Sequence, residues 1–177
     1  MSTLATTNIK HASSSSNNIV LGSDGSSYIP GHIIQVVSTT KTDTTSSTST
    51  SMADIPGLSL AITPSSTSSK ILLMCSINSS NGGSNAVNFN WVRGSTNIAQ
   101  NDTTGTNPAS FTMYSSGGIT IQDTISHQFL DSPNTTSATT YKIQWGAYTT
   151  GTRTINNYSG GTYYHGVSTI TLMELAA

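Results

Sequence analysis

Period-two alternation in short runs, broken every few residues by Gly, Pro, Asn or Asp, is the feature that most narrows what this chain can become. In VNFNWVR, Val87, Phe89 and Trp91 fall on one side and Asn88 and Asn90 on the other, the pattern of a strand with one buried face. YKIQWGAY repeats it with Tyr141, Ile143, Trp145 and Ala147 against Lys142, Gln144 and Tyr148, and LSLAIT adds Leu58, Leu60 and Ile62. Between such runs lie SSNGGSN, NDTTGTNP, SSGG, DSPNTT and NNYSGG, where Gly and Asn tolerate positive φ and Pro fixes the entry to a turn. No run has a convincing helical period. Short strands punctuated this regularly predict an all-β protein, most simply an antiparallel jelly-roll sandwich.

Two strands are apolar on both faces. KILLMCSI carries Ile71, Leu73, Cys75 and Ile77 on one side and Leu72 and Met74 on the other; STITLMEL sets Ile170 and Leu172 against Met173 and Leu175. A strand in a two-layer sandwich has one buried face, so the second set calls for cover, either by a neighbouring subunit or by a loop folded over the outside. Cys75 is the single cysteine, which excludes a disulfide within the chain and a cysteine ligand pair; it reads as a small buried apolar residue.

Residues 1–30 differ from the rest of the chain. NIVL and SSYIPG flank GSDG, whose Asp24-Gly25 marks a tight turn, so a β-hairpin precedes the sandwich head of residues 31–177. An isolated two-stranded hairpin is marginal in water, and Ile9, Ile19, Leu21, Tyr28 and Ile29 are too few to close a core in one chain. Copies gathered on a common axis would bury one another, making this a docking and trimerisation segment; the alternative is a disordered tail. Ile19, Leu21, Tyr28 and Ile29, with Leu72, Met74, Met173 and Leu175, are the candidate trimer interface.

Charge excludes several functions. Charged residues are 7% of the chain, against roughly 25% in soluble domains, while Ser and Thr fill about a third. Six Lys and Arg at a net charge of −1 cannot supply a phosphate-neutralising surface, so nucleic acid is not a partner. No apolar run is long enough for membrane insertion, and MSTLATTNIKH lacks the apolar core of a secretory signal, so export by the general secretory route is not expected.

Chemistry is also poorly supplied. The carboxylates are Glu174 and six aspartates, mostly beside turn residues; Asp123 and Asp131 in DTISHQFLD would meet over a hairpin as a polysaccharide-cleaving pair, but organising loop backbone suits them better. His11, His32, His127 and His165 lack metal-ligand spacing and no serine sits in a nucleophile elbow, so no catalytic residue, metal or cofactor is expected. Glu174, on the Ile170 and Leu172 face, is expected to pair with Arg93, Lys70 or Lys142, because a buried unpaired carboxylate is costly. The segment AYTTGTRTINNYSGGTYYHG gathers Tyr148, Arg153, Tyr158, Tyr163, Tyr164 and His165 among small polar residues. These are the candidate receptor-binding residues, since aromatic faces beside amides and hydroxyls suit sugar recognition; the same residues would equally anchor a subunit interface.

Three segments carry a family resemblance: the leader TNIKHASSSSNNIVLGSDGS with IPGHIIQVV, the stretch IPGLSLAITPSSTSSKILLM, and FLDSPNTTSATTYKIQW with the closing GVSTITLMEL. Together they resemble the fibre and tail-associated structural proteins of tailed bacteriophages, especially marine podoviruses. The resemblance implies a homotrimeric all-β fibre with a jelly-roll head similar to the C1q and tumour-necrosis-factor fold. It implies an N-terminal segment docked on another virion protein, and distal loops that bind host surface polysaccharide or protein without catalysis. The protein would be made in the host cytoplasm and sit on the exterior of the virion tail or capsid. The chain shows no coiled-coil heptads and no shaft repeat, so a tail fibre or fibre tip stands beside a head fibre, a decoration protein or a tail adaptor with a purely structural assembly role.

Overall fold

A computed structural model describes residues 8–10, 12–13, 15, 19–21, 27–29, 31–82, 85–101, 108–116, 118–158 and 164–176. Near the N-terminus, β1 (Asn8–Ile9), β2 (Ile19–Leu21) and β3 (Ser27–Tyr28) form a small antiparallel sheet of their own, with β2 in the middle. Pairing of Val20 with Tyr28 and of Leu21 with Ser27 makes β2 and β3 the expected hairpin, whose GSDG turn lies outside the described residues. The strand β1, joined through Ile9 and Ile19, is an addition to that expectation.

The rest of the chain runs through β4 (Ile33–Lys41), β5 (Thr45–Ser47), β6 (Ala53–Ile62), β7 (Lys70–Asn81), β8 (Asn85–Arg93) and β9 (Thr96–Ile98). It continues through β10 (Phe111–Ser115), β11 (Ile121–Asp131), β12 (Thr139–Ala147), β13 (Arg153–Ile155) and β14 (Ser168–Leu175). The principal strands pair first with last: β4 with β14, β6 with β12, β7 with β11 and β8 with β10, all antiparallel. Bridging of β14 to β7 and of β12 to β8 completes two sheets, one of six strands and one of five. This nesting is the jelly-roll connectivity, so the expected all-β antiparallel sandwich is the observed fold.

Alternation decides which side chains form the core. Leu73, Ile77, Ile170 and Leu172 from the six-stranded sheet meet Phe89, Trp91, Tyr141, Ile143 and Trp145 from the other, all buried. One irregularity is required: in β6 both Ile55 and Leu58 point inward, three residues apart, because register slips opposite Lys142 and Gln144. Gly57, at φ +83°, absorbs that slip in a conformation that other residues rarely adopt. At one open edge the rings of Phe89, Phe111 and His127 stack at 5.0 and 4.9 Å and join the sheets. Cys75 lies in the core, where burial pushes its thiol up to about 12, so it stays protonated and inert.

Glu174 does not form the expected ion pair. Its buried carboxylate, at the core end where β14 meets β4, accepts hydrogen bonds from the Ser65 amide (2.7 Å), the Ser65 hydroxyl (2.6 Å) and Gln35 Nε2 (2.5 Å). Lys70 instead donates to Ser132, Arg93 pairs with Asp131 and Lys142 with Asp54. A carboxylate held by several neutral donors needs no cation, an outcome that residue types alone do not distinguish from pairing.

Burial on its own raises the Glu174 pKa, but these hydrogen bonds outweigh it and hold the group below 4.5. The folded value is thus depressed, so Glu174 contributes stability above pH 4.5 that is lost as pH falls through the folded pKa. His127, lowered from 6.5 by burial, acts in the same direction at higher pH, because unfolding lets it take up a proton. The urea midpoint should therefore fall in two stages, beginning below pH 6.5 and steepening below 4.5. Replacing His127 by Phe should remove the upper stage, and Glu174→Gln should shrink the lower, to which Asp54 and Asp43, held down by Lys142 and Lys41, also contribute.

Candidate functional site

The two ends of the sandwich are chemically distinct. At one end the chain enters β4, where the Gly31 amide donates to the Ala176 carbonyl (2.9 Å). At the other end β4 finishes at Lys41 opposite Ser168, about 27 Å away at the rise of an extended strand. Tyr148, Tyr158, Tyr164 and His165 all lie at this distal end, just beyond β12 and between β13 and β14.

Their scaffold is built by Asn156, buried and left-handed at φ 60°. Its Nδ2 donates to the carbonyls of Lys41 (2.8 Å) and Asp43 (3.1 Å), its Oδ1 accepts from the Ser168 hydroxyl (2.7 Å), and its amide donates to the Asn78 carbonyl (2.9 Å). One residue thus fixes the ends of four strands. On that base Asn157 bridges His165, the Tyr158 amide donates to the Tyr164 carbonyl (3.1 Å), and the two rings meet edge to face at 5.9 Å. Tyr164 and Tyr148 are 66% and 64% exposed, so apolar ring area is presented to solvent.

Arg153 departs from this group. It belongs to β13, which fills the gap between β5 and the end of β7, and is 1% exposed. Its guanidinium lies 5.0 Å from the Trp145 ring centre and donates through Nη2 to the Ser49 carbonyl, so it is a core cation and offers no surface contact. Burial lowers its pKa. Three residues between Thr152 and Asn156 read as loop in the sequence because a strand of that length carries no alternation. Tyr163 lies outside the described residues.

The expected interface residues of the head share one surface. Cross-strand pairing sets Val36 opposite Met173, Met173 opposite Leu72, and Leu72 opposite Leu130, an unbroken apolar row across β4, β14, β7 and β11 on the outer face of the six-stranded sheet. Val36 and Leu130 are 52% and 51% exposed, and Met74, one row on, is 37% exposed. Leu175 flanks the row on the same face. Next to it the sheet forms a concavity of about 420 Å³ lined by Met74, Ser76, Ser126, Gln128, Thr169 and Thr171. Among the N-terminal candidates Ile29 is exposed and Ile19 half-buried, while the side chains of Leu21 and Tyr28 are outside the described set.

The suggested carboxylate pair does not exist. Asp123 and Asp131 occupy opposite ends of the single strand β11, so no hairpin brings them together. Asp123 is exposed and accepts from the Thr124 amide; Asp131 is buried and engaged by Arg93 and Tyr141. Among the described residues no three His, Cys, Asp or Glu side chains gather at one point.

Asn88 and Asn90 hold a place that no sequence signal marks. They face away from the core, as alternation requires, yet they are buried beneath chain that crosses the outer face of the five-stranded sheet. No family model matches the chain, and no curated protein is similar to it.

Proposed function

We propose that this protein is a homotrimeric bacteriophage tail fibre or fibre tip, which assembles through the outer face of its six-stranded sheet and meets the host cell surface with its distal loops, without catalysis. The observation that carries the reading is the row Val36, Met173, Leu72 and Leu130, an in-register apolar band flanked by Met74 and Leu175 on a face otherwise mostly of hydroxyls and amides. A band of this kind, exposed at Val36 and Leu130 and half-buried at Leu72 and Met173, is the surface that a subunit interface covers. The resemblance of the leader and of the closing strand to phage fibre proteins supports the virion setting.

Position favours reception over a purely structural role. The aromatic cluster lies at the end of the head opposite the entry of the N-terminal segment, the expected attachment to another virion protein. Three heads held together would present three such clusters, so modest contacts combine into firm attachment.

Labelled protein applied to a panel of marine cyanobacteria and related bacteria is expected to decorate at least one strain. The triple variant Tyr148→Ala, Tyr158→Ala, Tyr164→Ala should lose that decoration at least tenfold while keeping its assembled mass. Equal decoration by the variant would remove the cluster as the contact. An assembled protein that decorates no strain would favour the head-decoration or tail-adaptor role.

A further inference from the structure

We infer that the outer face of the five-stranded sheet holds a second site, separate from the distal tyrosines, that takes a neutral, polyhydroxylated ligand of one sugar ring. The cavity measures about 240 Å³, below the roughly 300 Å³ at which pockets for drug-sized ligands begin, so a single ring is the matching size. Thr50, Asn88, Asn90, Asn97 and Gln100 supply its polar wall. Met52, Pro108 and Gly146 supply apolar surface.

The pocket is built rather than incidental. A Cβ on Gly146 would lie 2.6 Å from Met52 Sδ and 3.3 Å from the Thr50 carbonyl, so the covering segment approaches β12 only because glycine stands there. The Ser110 amide donates to Asn90 Oδ1 (3.2 Å) and the Thr112 hydroxyl to Asn88 Oδ1 (3.1 Å). With those oxygens held, each Nδ2 is oriented as a donor. Gln100 directs Nε2 towards the Pro108 carbonyl (3.5 Å), which leaves Oε1 as an acceptor, and the Thr50 hydroxyl serves either way.

Donors and acceptors without charge select the ligand. Among the described residues no Lys, Arg or His lines the cavity to hold an anion, and no carboxylate lines it to hold a cation. An apolar guest would strand buried amides, which costs more than its burial returns. Adjacent hydroxyls on a small ring satisfy amide donors and acceptors together, while the ring's C–H face packs on Met52 and Pro108.

Saturation-transfer NMR on the full chain tests this, with methyl α-D-glucopyranoside, methyl β-D-galactopyranoside, methyl α-D-mannopyranoside and N-acetyl-D-glucosamine as probes. At least one should receive saturation, and Asn97→Ala with Gln100→Ala should weaken it at least tenfold, since two hydrogen-bonding side chains are lost. Thr171→Ala, in the concavity of the other sheet, should leave it unchanged. The proposal is overturned if no probe binds, if binding survives the double variant, or if Thr171→Ala alone abolishes it. Should the double variant not melt cooperatively, the exposed Asn97→Ala alone decides. Light scattering on the same samples separates the claims: a trimer that binds no probe overturns the pocket only, and a monomer that binds one overturns the fibre only.

Discussion

Met173→Asp is expected to reduce the assembled protein to single chains. Met173 sits at the centre of the apolar row, opposite Val36 on one side and Leu72 on the other, and its side chain faces outward. In an isolated chain the new carboxylate would project from the sheet into water, so the fold should survive. In the assembly it would be buried among apolar side chains with no cation in the row to receive it. A desolvated unpaired charge costs several kcal/mol, and about 4 kcal/mol corresponds to roughly a thousandfold weaker association. Thr140→Asp, an exposed position on β12 in the other sheet, is the control and should keep the native mass. A Met173→Asp protein that remains trimeric would show that the row is not the interface.

Asp131→Ala should damage the fold itself. Its carboxylate accepts from Arg93 Nη1 at 2.9 and 2.8 Å and from the Tyr141 hydroxyl at 2.7 Å. These three residues come from β11, β8 and β12, so one carboxylate ties the two sheets together. Burial first, and then the hydrogen bond to Asp131, raise the Tyr141 pKa, which keeps the phenol protonated as a donor. Truncation would strand a buried hydroxyl and leave a partly buried guanidinium with a hydrogen bond to the Ser132 carbonyl in place of an ion pair. The cost should be about 3 kcal/mol, the lower end for a broken buried pair because Arg93 retains some solvent, and it lowers the melting midpoint by about 6–12 °C. Asp131→Asn, which still accepts from Tyr141, should lose less. Equal midpoints for Asp131→Ala and the native protein would show that the cluster does not join the sheets.

The strands that alternate strictly are legible in the sequence, and the reason is physical. β7, β8, β12 and β14 place bulky apolar residues every second position against a single core, so pattern and burial coincide. The double-faced character of β7 and β14 correctly marks Leu72, Met74, Met173 and Leu175 as facing out of the sandwich. DTISHQFLD would have to turn as a hairpin for Asp123 and Asp131 to meet, yet β11 is one edge strand whose inner face needs only Ile125, His127 and Phe129. β5, β9 and β13 have three residues each, too few to carry a period, and this hides the buried Arg153. Alternation places Glu174 correctly on the inner face, but its partners are Gln35 and Ser65, which only the fold brings near. The amide pocket is invisible in the sequence because outward-facing Asn88 and Asn90 look like solvated residues until the covering chain is seen.

The solution mass of the purified chain, measured by light scattering over a range of concentrations, tests the trimeric assembly most directly. The expected value is three times the 18.4 kDa chain mass. A monomer at every concentration, with Leu72, Met74, Met173 and Leu175 left open to solvent, would contradict it.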